Sequence, residues 1–349
     1  MNAPDQPGQL LFCGFEGTQV PDDLAALIAA GRIGGVVLFA RNIESPEQVR
    51  ALTTRLHRLA PEEAPLMLAI DQEGGRVQRL REPWTEWPPM RVVGDRDEVA
   101  LTEEIARALA RELGDLGIQL DFAPCVDVDT NPENPIIGDR SFGRTPERVA
   151  KHAGRFIRAM QQAGVAACAK HFPGHGDTET DSHLELPRLD HSLERLRNIE
   201  LPPFRAAVEA GVASIMTAHV LFPALDAERP ATLAPEVMHL LRDELGYEGV
   251  VFSDDLEMKA VADHYSPREL VAGSFAAGVD ALLVCRSASL RGEVLEQIEA
   301  LGRTRLAAAL ARMNRLKQRF RPAFSDPGRA LPPYATHAAL AQRTRRDPA

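Results

Sequence analysis

The sequence predicts a single TIM-type (β/α)8 barrel with its active site at the C-terminal ends of the strands, and three observations support this fold. Eight short apolar runs alternate with longer segments rich in Ala, Leu, Arg and Glu. Six of those segments end near a glycine, which readily adopts the left-handed conformation that closes a helix. The apolar runs are continuously hydrophobic, as in strands that are covered on both faces.

The strand candidates follow one another along the whole chain, at residues 10–15, 35–39, 66–70, 118–122, 165–169, 214–216, 250–252 and 281–284. Helical segments near 289–302 and 304–320 complete the alternation. Strands that alternate with helices form a parallel sheet, and eight such units favour a closed barrel. A doubly wound open sheet is the alternative, but no Gly-x-Gly-x-x-Gly follows the first strand candidate, which argues against its dinucleotide-binding version.

The connections that leave the strands are longer and more polar than those that enter them. The long exits, rich in Pro and Gly, span residues 71–97, 123–144, 170–191, 219–233 and 254–267. In a (β/α)8 barrel the loops that follow the strands form the catalytic face. Functional side chains are therefore expected in these five segments.

Length and composition limit the class of protein. The 349 residues are 44% hydrophobic, and we expect residues 1–320 to form the catalytic barrel and residues 321–349 a C-terminal extension that could be mobile. The net charge of −10 argues against a nucleic-acid partner. No run of about 18 apolar residues occurs, and residues 1–9 do not resemble an export signal, so we expect a cytoplasmic protein with no membrane partner.

Four cysteines, Cys13, Cys125, Cys168 and Cys285, lie far apart in or beside apolar runs. This spacing fits neither a zinc knuckle nor a disulfide framework, so we expect buried free thiols.

The densest group of titratable residues follows the fifth strand candidate. Between Lys170 and His183 the chain places three histidines and several acidic residues among glycines and a proline. Such crowding shifts pKa values and is typical of catalytic loops. Asp181 and His183 are two residues apart, so in an extended segment the carboxylate can hold the imidazole as a proton donor and acceptor. An ordinary loop ion pair is the alternative for these two residues.

Metal binding is another alternative for this segment. His171, His175, Asp177 and His183 could be ligands, since His and Asp at a barrel mouth commonly bind zinc or iron. Against a metal, the first strand carries Gly14-Phe15-Glu16-Gly17 and no His-x-His. We therefore expect no metal and no cofactor.

Charged side chains recur at the other exits. They are Asp71, Glu73, Arg76 and Arg79 after the third strand candidate, Asp127, Asp129, Asp139 and Arg140 after the fourth, His219 after the sixth, and Asp254 and Asp255 after the seventh. A ring that mixes carboxylates with Arg, Lys and His can bind a hydroxyl-rich ligand such as a sugar through directional hydrogen bonds.

Asp254 ends the buried run 250–252, which would aim its carboxylate rigidly into the barrel mouth. A fixed carboxylate of this kind suits a nucleophile that attacks a substrate carbon in line. The alternative is a helix N-cap, a common use of Asp. The adjacent Asp255 is expected to point elsewhere, because successive strand residues face opposite sides.

Three of these motifs together resemble glycoside hydrolase family 3, in particular its single-domain bacterial β-N-acetylglucosaminidases of cell-wall recycling. The matching stretches are residues 170–178 followed by Asp181-Ser182-His183, residues 240–254, and residues 71–79, with a shorter match at 137–142. Glu257 departs from the family pattern, which usually has a small residue there, and this concerns only the loop after Asp254.

The resemblance implies a retaining β-N-acetylhexosaminidase that releases terminal β-linked N-acetylglucosamine from muropeptide fragments with a 1,6-anhydro-muramoyl partner. It implies that Asp254 is the nucleophile that forms a covalent glycosyl-enzyme. It further implies that His183, oriented by Asp181, is the acid/base in place of the usual second carboxylate. The residues that would bind the sugar are Asp71, Arg79, Arg140, Lys170 and His171.

Three other functions remain open at this point. A broader family 3 β-glucosidase or xylosidase is disfavoured by the Asp181 and His183 pair and by the lack of room for a second domain. A metal-dependent barrel hydrolase and a non-catalytic sugar-binding barrel come from other classes. We expect the carbohydrate to be a small-molecule substrate and the protein to be a monomer.

Overall fold

The structure is a computed structural model that describes residues 6–179, 182, 185–322 and 330–346. Eight parallel strands form a closed barrel in the order β1-β2-β3-β6-β7-β8-β9-β10, with β10 paired to β1. The strands are β1 (Leu11–Cys13), β2 (Gly35–Leu38), β3 (Met67–Ile70), β6 (Leu120–Asp121), β7 (Ala166–Phe172), β8 (Ser214–Thr217), β9 (Val250–Asp255) and β10 (Ala281–Val284). An antiparallel hairpin, β4 (Gln72–Gly74) and β5 (Val77–Gln78), lies in the third exit. The predicted barrel is therefore confirmed.

Helices surround the barrel and separate most of its strands. They are α1 (Asp22–Ala29), α2 (Pro46–Leu59), α3 (Met90–Arg96), α4 (Val99–Asp115), α5 (Pro146–Gln162), α6 (Leu193–Arg195), α7 (Leu201–Glu209), α8 (Pro235–His239), α9 (Lys259–Ala262), α10 (Pro267–Ala277), α11 (Ala288–Leu301), α12 (Arg303–Arg319) and α13 (Ala335–Arg345). A π-helical turn, Leu196–Glu200, joins α6 to α7, and a second one, Leu240–Glu244, follows α8.

Local sequence explains where several helices begin. The N-cap residues Ser45, Thr145 and Ser266 each accept a hydrogen bond from the backbone N–H three residues later. A proline follows each of them at the first helical position, where its missing N–H costs nothing. Ser-Pro and Thr-Pro thus fix the starts of α2, α5 and α10.

Three phenylalanines pack inside the barrel. The ring of Phe252 lies 4.9 Å from that of Phe12 and 5.5 Å from that of Phe122, both edge-to-face. All three are at most 1% exposed. Edge-to-face packing of this kind stabilises a core beyond the area that it buries. The rings fill the barrel interior beneath the strand exits.

Two strands extend further than the sequence predicts. β7 continues to Phe172, because its pairing with β8 persists through Lys170 opposite Met216 and Phe172 opposite Thr217. β9 continues to Asp255, which pairs with Leu283. Lys170, His171 and Asp254 are therefore strand residues, held more rigidly than loop residues would be.

The C-terminal helix α13 packs against α3 and α4. His337 Nδ1 lies 2.8 Å from Glu112 Oε1, and the hydroxyl of Tyr334 donates to Asp115 Oδ2 at 3.3 Å. These contacts attach residues 334–345 to the outside of the barrel. Among the helices described here, none combines the length and the apolar character needed to cross a bilayer.

Candidate active site

A cavity of about 190 Å³ opens at the C-terminal ends of the strands. Its lining residues belong to or follow β2, β3, β6, β7, β8, β9 and β10: Val37, Phe39, Asp71, Val77, Arg79, Phe122, Ile136, Arg140, Lys170, His171, His175, Ser182, Met216, Asp254, Asp255, Met258, Leu283 and Cys285. Larger grooves of about 550 and 620 Å³ lie between outer helices, but they lack buried charged groups. The concentration of buried charge makes this cavity the candidate site.

Lys170 is the centre of a buried charge network. Its Nζ donates to Asp71 Oδ1 at 2.8 Å and lies 2.6 Å from Glu73 Oε1. Arg140 binds the same Glu73 with two hydrogen bonds of 2.8 Å each. These are charge-assisted contacts, and the two-pronged Arg140 contact also fixes the orientation of the carboxylate.

The network keeps its members ionised despite their burial. Burial alone would raise the pKa of Glu73, but the charges of Arg140 and Lys170 lower that pKa to about 2. The same competition, with Lys170 and Arg79 as the cations, lowers the pKa of Asp71. Burial opposes the charge on Lys170, yet Asp71 and Glu73 raise its pKa above the ordinary value. At neutral pH the site therefore offers fixed cations and anions to a ligand.

Arg79 completes one wall of the cavity. Its Nη2 donates to Asp71 Oδ2 at 3.1 Å, and its guanidinium carbon lies 5.5 Å from the centre of the Phe39 ring. Its Nε is buried without a partner among the described residues. This leaves a donor unsatisfied beside a carboxylate, as expected where a polar ligand binds.

His171 is held by Asp127. Its Nδ1 lies 2.7 Å from Asp127 Oδ2, and Asp127 also accepts hydrogen bonds from the backbone N–H groups of His171 and His175. Burial would raise the pKa of Asp127, but the charge and hydrogen bond of His171 and the contacts with His175 bring it to about 2. His171 Nε2 lies 3.4 Å from Nη2 of Arg140. The imidazole edge is thereby fixed beside the charge network.

Asp254 lies at the end of β9 and borders the cavity. One carboxylate oxygen, Oδ1, accepts a hydrogen bond from the backbone N–H of Asp255 at 2.8 Å. Burial would raise the pKa of Asp254, but the charges of His171 and His219 and this hydrogen bond lower it. An ionised carboxylate, fixed by a strand, can act as a nucleophile.

Asp255 is engaged differently. Its Oδ1 accepts hydrogen bonds from the backbone N–H groups of Glu257 and Cys285, at 3.1 and 3.2 Å. Burial raises the pKa of Asp255 to about 7. Its carboxylate therefore connects β9 to the residue after β10. Asp255 borders the cavity as Asp254 does, so the expected difference in direction stays a prediction.

Glu257, which departs from the family pattern, has a structural contact of its own. Its carboxylate accepts hydrogen bonds from the backbone N–H groups of Arg286 and Ser287, the latter at 2.9 Å. These residues precede α11, so the glutamate connects the loop after Asp254 to the start of that helix.

Asp181 and His183 lie outside the described residues, but Ser182 between them is described. Ser182 is 2% exposed and borders the cavity together with Asp254. Its Oγ lies 3.1 Å from His175 Nε2, and its carbonyl oxygen accepts from the backbone N–H of Ala260 at 3.2 Å. Ser182 is therefore part of the cavity wall.

Three of the residues that were considered as metal ligands, His171, His175 and Asp177, do not converge as one ligand set, and the fourth, His183, lies outside the described residues. Asp177 contacts Thr130 Oγ1 at 3.0 Å and Arg195 Nη2 at 2.9 Å, while His175 is bound to Thr178 and Ser182. Within the described ranges, one set of possible ligands converges, Cys125 with Asp127 and His171. Hydrogen bonds already connect these three side chains, and burial raises the pKa of the Cys125 thiol well above its ordinary value. This set fits a hydrogen-bonded support for His171 better than a metal site.

All five residues that the resemblance implies for sugar binding border this cavity: Asp71, Arg79, Arg140, Lys170 and His171. Glu73 and Asp127 were predicted only as members of the charged ring at the strand exits, His175 was considered only as a metal ligand, and Ser182 had no role of its own. Glu73 could have been found from its place two residues after Asp71. Asp127 carries no local signal, because its partner is 44 residues away in sequence.

The remaining charged residues at the exits stabilise loops. Arg76 donates to the carbonyl oxygens of Pro135 and Ile136 and to Asp139. Asp129 pairs with Arg91 at 2.7 Å and with Arg144 at 3.4 Å. His219 contacts Thr232 Oγ1 at 2.8 Å and the carbonyl oxygen of Asp255 at 3.1 Å. These contacts hold the walls of the cavity.

Known proteins of one family are similar to this chain over most of its length. The glycosyl hydrolase family 3 N-terminal domain matches residues 5–316. A β-hexosaminidase of Alkalilimnicola ehrlichii is 43% identical over 282 residues, which cover 79% of this chain and 80% of the relative. β-Hexosaminidase A of Pseudoalteromonas piscicida is 38% identical over 338 residues, or 87% of this chain, but the match spans only 56% of that relative.

A solved structure is similar over the whole barrel. The family 3 β-N-acetylglucosaminidase of Paenibacillus sp. str. FPU-7 superposes with a TM-score of 0.92 at 40% sequence identity, and the match covers 99% of this chain and 68% of that one. The barrel, its charged mouth and these matches lead to one conclusion: the chain belongs to glycoside hydrolase family 3 and is a glycoside hydrolase.

Proposed function

We propose that this chain is a retaining β-N-acetylhexosaminidase that removes terminal β-linked N-acetylglucosamine through a covalent glycosyl-enzyme intermediate. One observation carries the proposal: the strand-held carboxylate of Asp254 borders the same cavity as the ion network of Asp71, Lys170 and Arg140. The β-hexosaminidase names of its relatives support the sugar.

The first step forms the intermediate. Asp254 attacks the anomeric carbon, a bond forms between that carbon and a carboxylate oxygen, and the glycosidic bond breaks. His183, as an imidazolium, gives its proton to the departing oxygen. Asp71, Arg79 and Lys170 orient the sugar hydroxyls, so that binding energy is used to align the reacting atoms.

The second step releases the sugar. Water attacks the anomeric carbon of the glycosyl ester while His183 removes a proton from that water, and the bond to Asp254 breaks. Two displacements at one carbon retain its configuration. Asp181 would hold the imidazole of His183 for both transfers. Ser182 supports this assignment, because the residue between the two proposed partners borders the cavity.

We further propose muropeptide fragments as the substrate, with a 1,6-anhydro-muramoyl group beyond the cleaved bond, in cell-wall recycling. We place the reaction in the cytoplasm and expect a monomer built on one catalytic barrel, residues 1–320, with residues 321–349 as an extension. The four cysteines are free and buried, which suits a reducing compartment.

Covalent labelling tests the mechanism. The protein is incubated with a fluorinated N-acetylglucosaminide that forms a slowly hydrolysed intermediate, digested, and analysed by mass spectrometry. The label is expected on Asp254 and absent in Asp254→Asn. A label on another carboxylate, or turnover without any labelled intermediate, contradicts the proposal.

A substrate panel tests the sugar and the aglycone. Nitrophenyl N-acetylglucosaminide should be cleaved faster than the nitrophenyl glucoside and xyloside, and a preference for either of the latter contradicts the assignment. The purified disaccharide of N-acetylglucosamine and 1,6-anhydro-N-acetylmuramic acid should then be hydrolysed with kcat/KM at least equal to that for chitobiose. The reverse order contradicts the muropeptide proposal alone.

A further inference from the structure

His175 borders the cavity with both ring nitrogens engaged. Nδ1 lies 2.8 Å from Thr178 Oγ1 and Nε2 lies 3.1 Å from Ser182 Oγ, and the residue is 1% exposed. Burial, followed by the charge of His171, lowers the pKa of His175 to about 4. The ring is therefore neutral at physiological pH, with one nitrogen donating and the other accepting.

The Thr178 end of this bridge is firmly attached. Thr178 is 1% exposed, and its Oγ1 also accepts a hydrogen bond from Asn134 Nδ2 at 3.1 Å. The Oδ1 of Asn134 accepts from the backbone N–H groups of Ile136 and Ile137, both at 2.8 Å. Through Thr178 and Asn134, His175 is thus held by the fourth exit segment of the barrel as well as by its own loop.

The Ser182 end connects two catalytic segments. The carbonyl oxygen of Ser182 accepts from the backbone N–H of Ala260, in the helix α9 that follows β9. β9 carries Asp254. Ser182 is therefore held from one side by His175 and from the other by the segment that follows the proposed nucleophile.

We propose that His175 is a positioning residue for the acid/base step, acting through Ser182 to fix where the chain enters His183. This inference rests on the proposed function, since it takes His183 as the proton donor. Consecutive Cα atoms are about 3.8 Å apart, so a fixed Ser182 limits where the next residue can start. Proton transfer needs the donor within hydrogen-bond reach of the leaving oxygen, and a displacement of roughly 1 Å can cost about 100-fold in rate.

The test uses side chains that reproduce one end of the imidazole at a time. His175→Asn places an amide near the Nδ1 position, so it can still bind Thr178 but cannot reach Ser182. His175→Gln carries its amide one methylene further, towards the Nε2 position. Ser182→Ala removes only the hydroxyl. Each variant is assayed on N-acetylglucosaminides with an activated dinitrophenyl leaving group and with a sugar leaving group that requires protonation.

We expect His175→Asn and Ser182→Ala to lower kcat roughly 10- to 100-fold for the sugar leaving group, and several-fold less for the dinitrophenyl group. His175→Gln should recover part of the loss. The double variant, His175→Asn with Ser182→Ala, should be no worse than the poorer single one, because both remove the same hydrogen bond. Thr102→Ala is the matched control. It removes a 2.7 Å contact between the buried Thr102 hydroxyl and His152, and this contact joins the outer helices α4 and α5.

Equal losses on both leaving groups, or full activity in Ser182→Ala, would overturn the proposal. Thermal unfolding checks that each variant is folded, and Ser182→Ala decides the question alone if His175→Asn does not fold. The proposed function has a separate readout. If wild type and His183→Ala respond alike to the leaving group, the acid role of His183 fails; if only His183→Ala differs from wild type, the role of His175 fails.

Discussion

Asp127 and His171 are joined by a 2.7 Å contact between Oδ2 and Nδ1, at a depth where both side chains are at most 7% exposed. On the far side of the ring, Nε2 faces a guanidinium nitrogen of Arg140, which can only donate. In the neutral form of the ring, this arrangement places the proton on Nδ1 and the lone pair on Nε2. Asp127 fixes the tautomer of that neutral ring and its orientation, so under the proposed function it determines which ring nitrogen a sugar hydroxyl would meet.

Asp127→Asn should weaken substrate binding and the fold together. The amide nitrogen would face donors, because the carboxylate now accepts from two backbone N–H groups as well as from the ring. We expect kcat/KM to fall by roughly 10- to 100-fold and the free energy of unfolding by about 3 kcal/mol. Steady-state kinetics and urea unfolding measure the two effects.

Asp97→Asn is the control for this variant. Asp97 lies 3.1 Å from His152 Nε2, but its side chain is 48% exposed. Its positive φ of 54° is a conformation that Asn tolerates well. Little change in either measurement is expected, and an effect as large as that of Asp127→Asn would refute the special importance of the buried pair.

Lys170→Met removes the cation shared by two carboxylates. Asp71 and Glu73 would remain buried with only Arg79 and Arg140 as counter-charges. We expect a loss of about 3–5 kcal/mol in the free energy of unfolding at pH 7. Part of this loss should disappear as the pH falls towards 3, because without Lys170 the pKa values of Asp71 and Glu73 in the folded variant are higher than in the folded wild type. The carboxylates of the folded variant then protonate first, which relieves the buried charge.

The matched variant is Lys151→Met, which breaks an exposed ion pair with Asp97. Exposed pairs are screened by solvent and contribute little to stability, so this variant should unfold almost like the wild type. Urea unfolding of both variants at several pH values separates the buried from the exposed ion pair. Similar losses in the two variants would contradict the interpretation.

Lys170 and Asp127 differ in how much of their role could be predicted from the sequence. The fold follows from local patterns, since each apolar run and each glycine stop is contained in a few residues. Lys170 and Asp254 could be assigned because they end such runs. The pairing of Lys170 with Glu73 and of His171 with Asp127 could not be predicted, because these partners are far apart in the chain and only the folded barrel brings them together.

The ionisation of Asp254 should not limit activity near neutral pH. Its pKa is lowered, so the carboxylate is ionised in all the range above about pH 5. Activity that depends on this charge is complete there and is lost as the pH falls through the lowered pKa. We expect Asp254→Asn to reduce kcat by three orders of magnitude or more. The pH profile of kcat/KM checks the first statement and single-turnover kinetics the second.

Asp255→Asn identifies the source of any limb near neutral pH. Burial raises the pKa of Asp255 to about 7, in the range where the proposed acid His183 would also titrate. If His183 causes the limb, it should survive in Asp255→Asn. Its disappearance in that variant would transfer the titration to Asp255.

Lys317 is a buried lysine far from the cavity. Its Nζ donates to Gln9 Oε1 at 2.6 Å, and burial lowers its pKa to about 7. Between pH 7 and the ordinary lysine value the unfolded chain binds more protons, so wild-type stability should rise with pH. Lys317→Met removes this term, and its stability relative to wild type should fall by about 1 kcal/mol per pH unit from pH 7 to pH 9 in urea unfolding. A constant difference would show that Lys317 does not titrate there.

The three phenylalanines beneath the site affect how a saccharide enters the cavity and how the products leave it. The rings of Phe12 and Phe122 both contact that of Phe252 across the barrel interior, which side chains fill as in other barrels of this kind. We therefore expect the cavity to be closed at its base, so that a saccharide enters it with its terminal ring first. The released monosaccharide would then leave through the opening by which the saccharide entered, after the aglycone has departed.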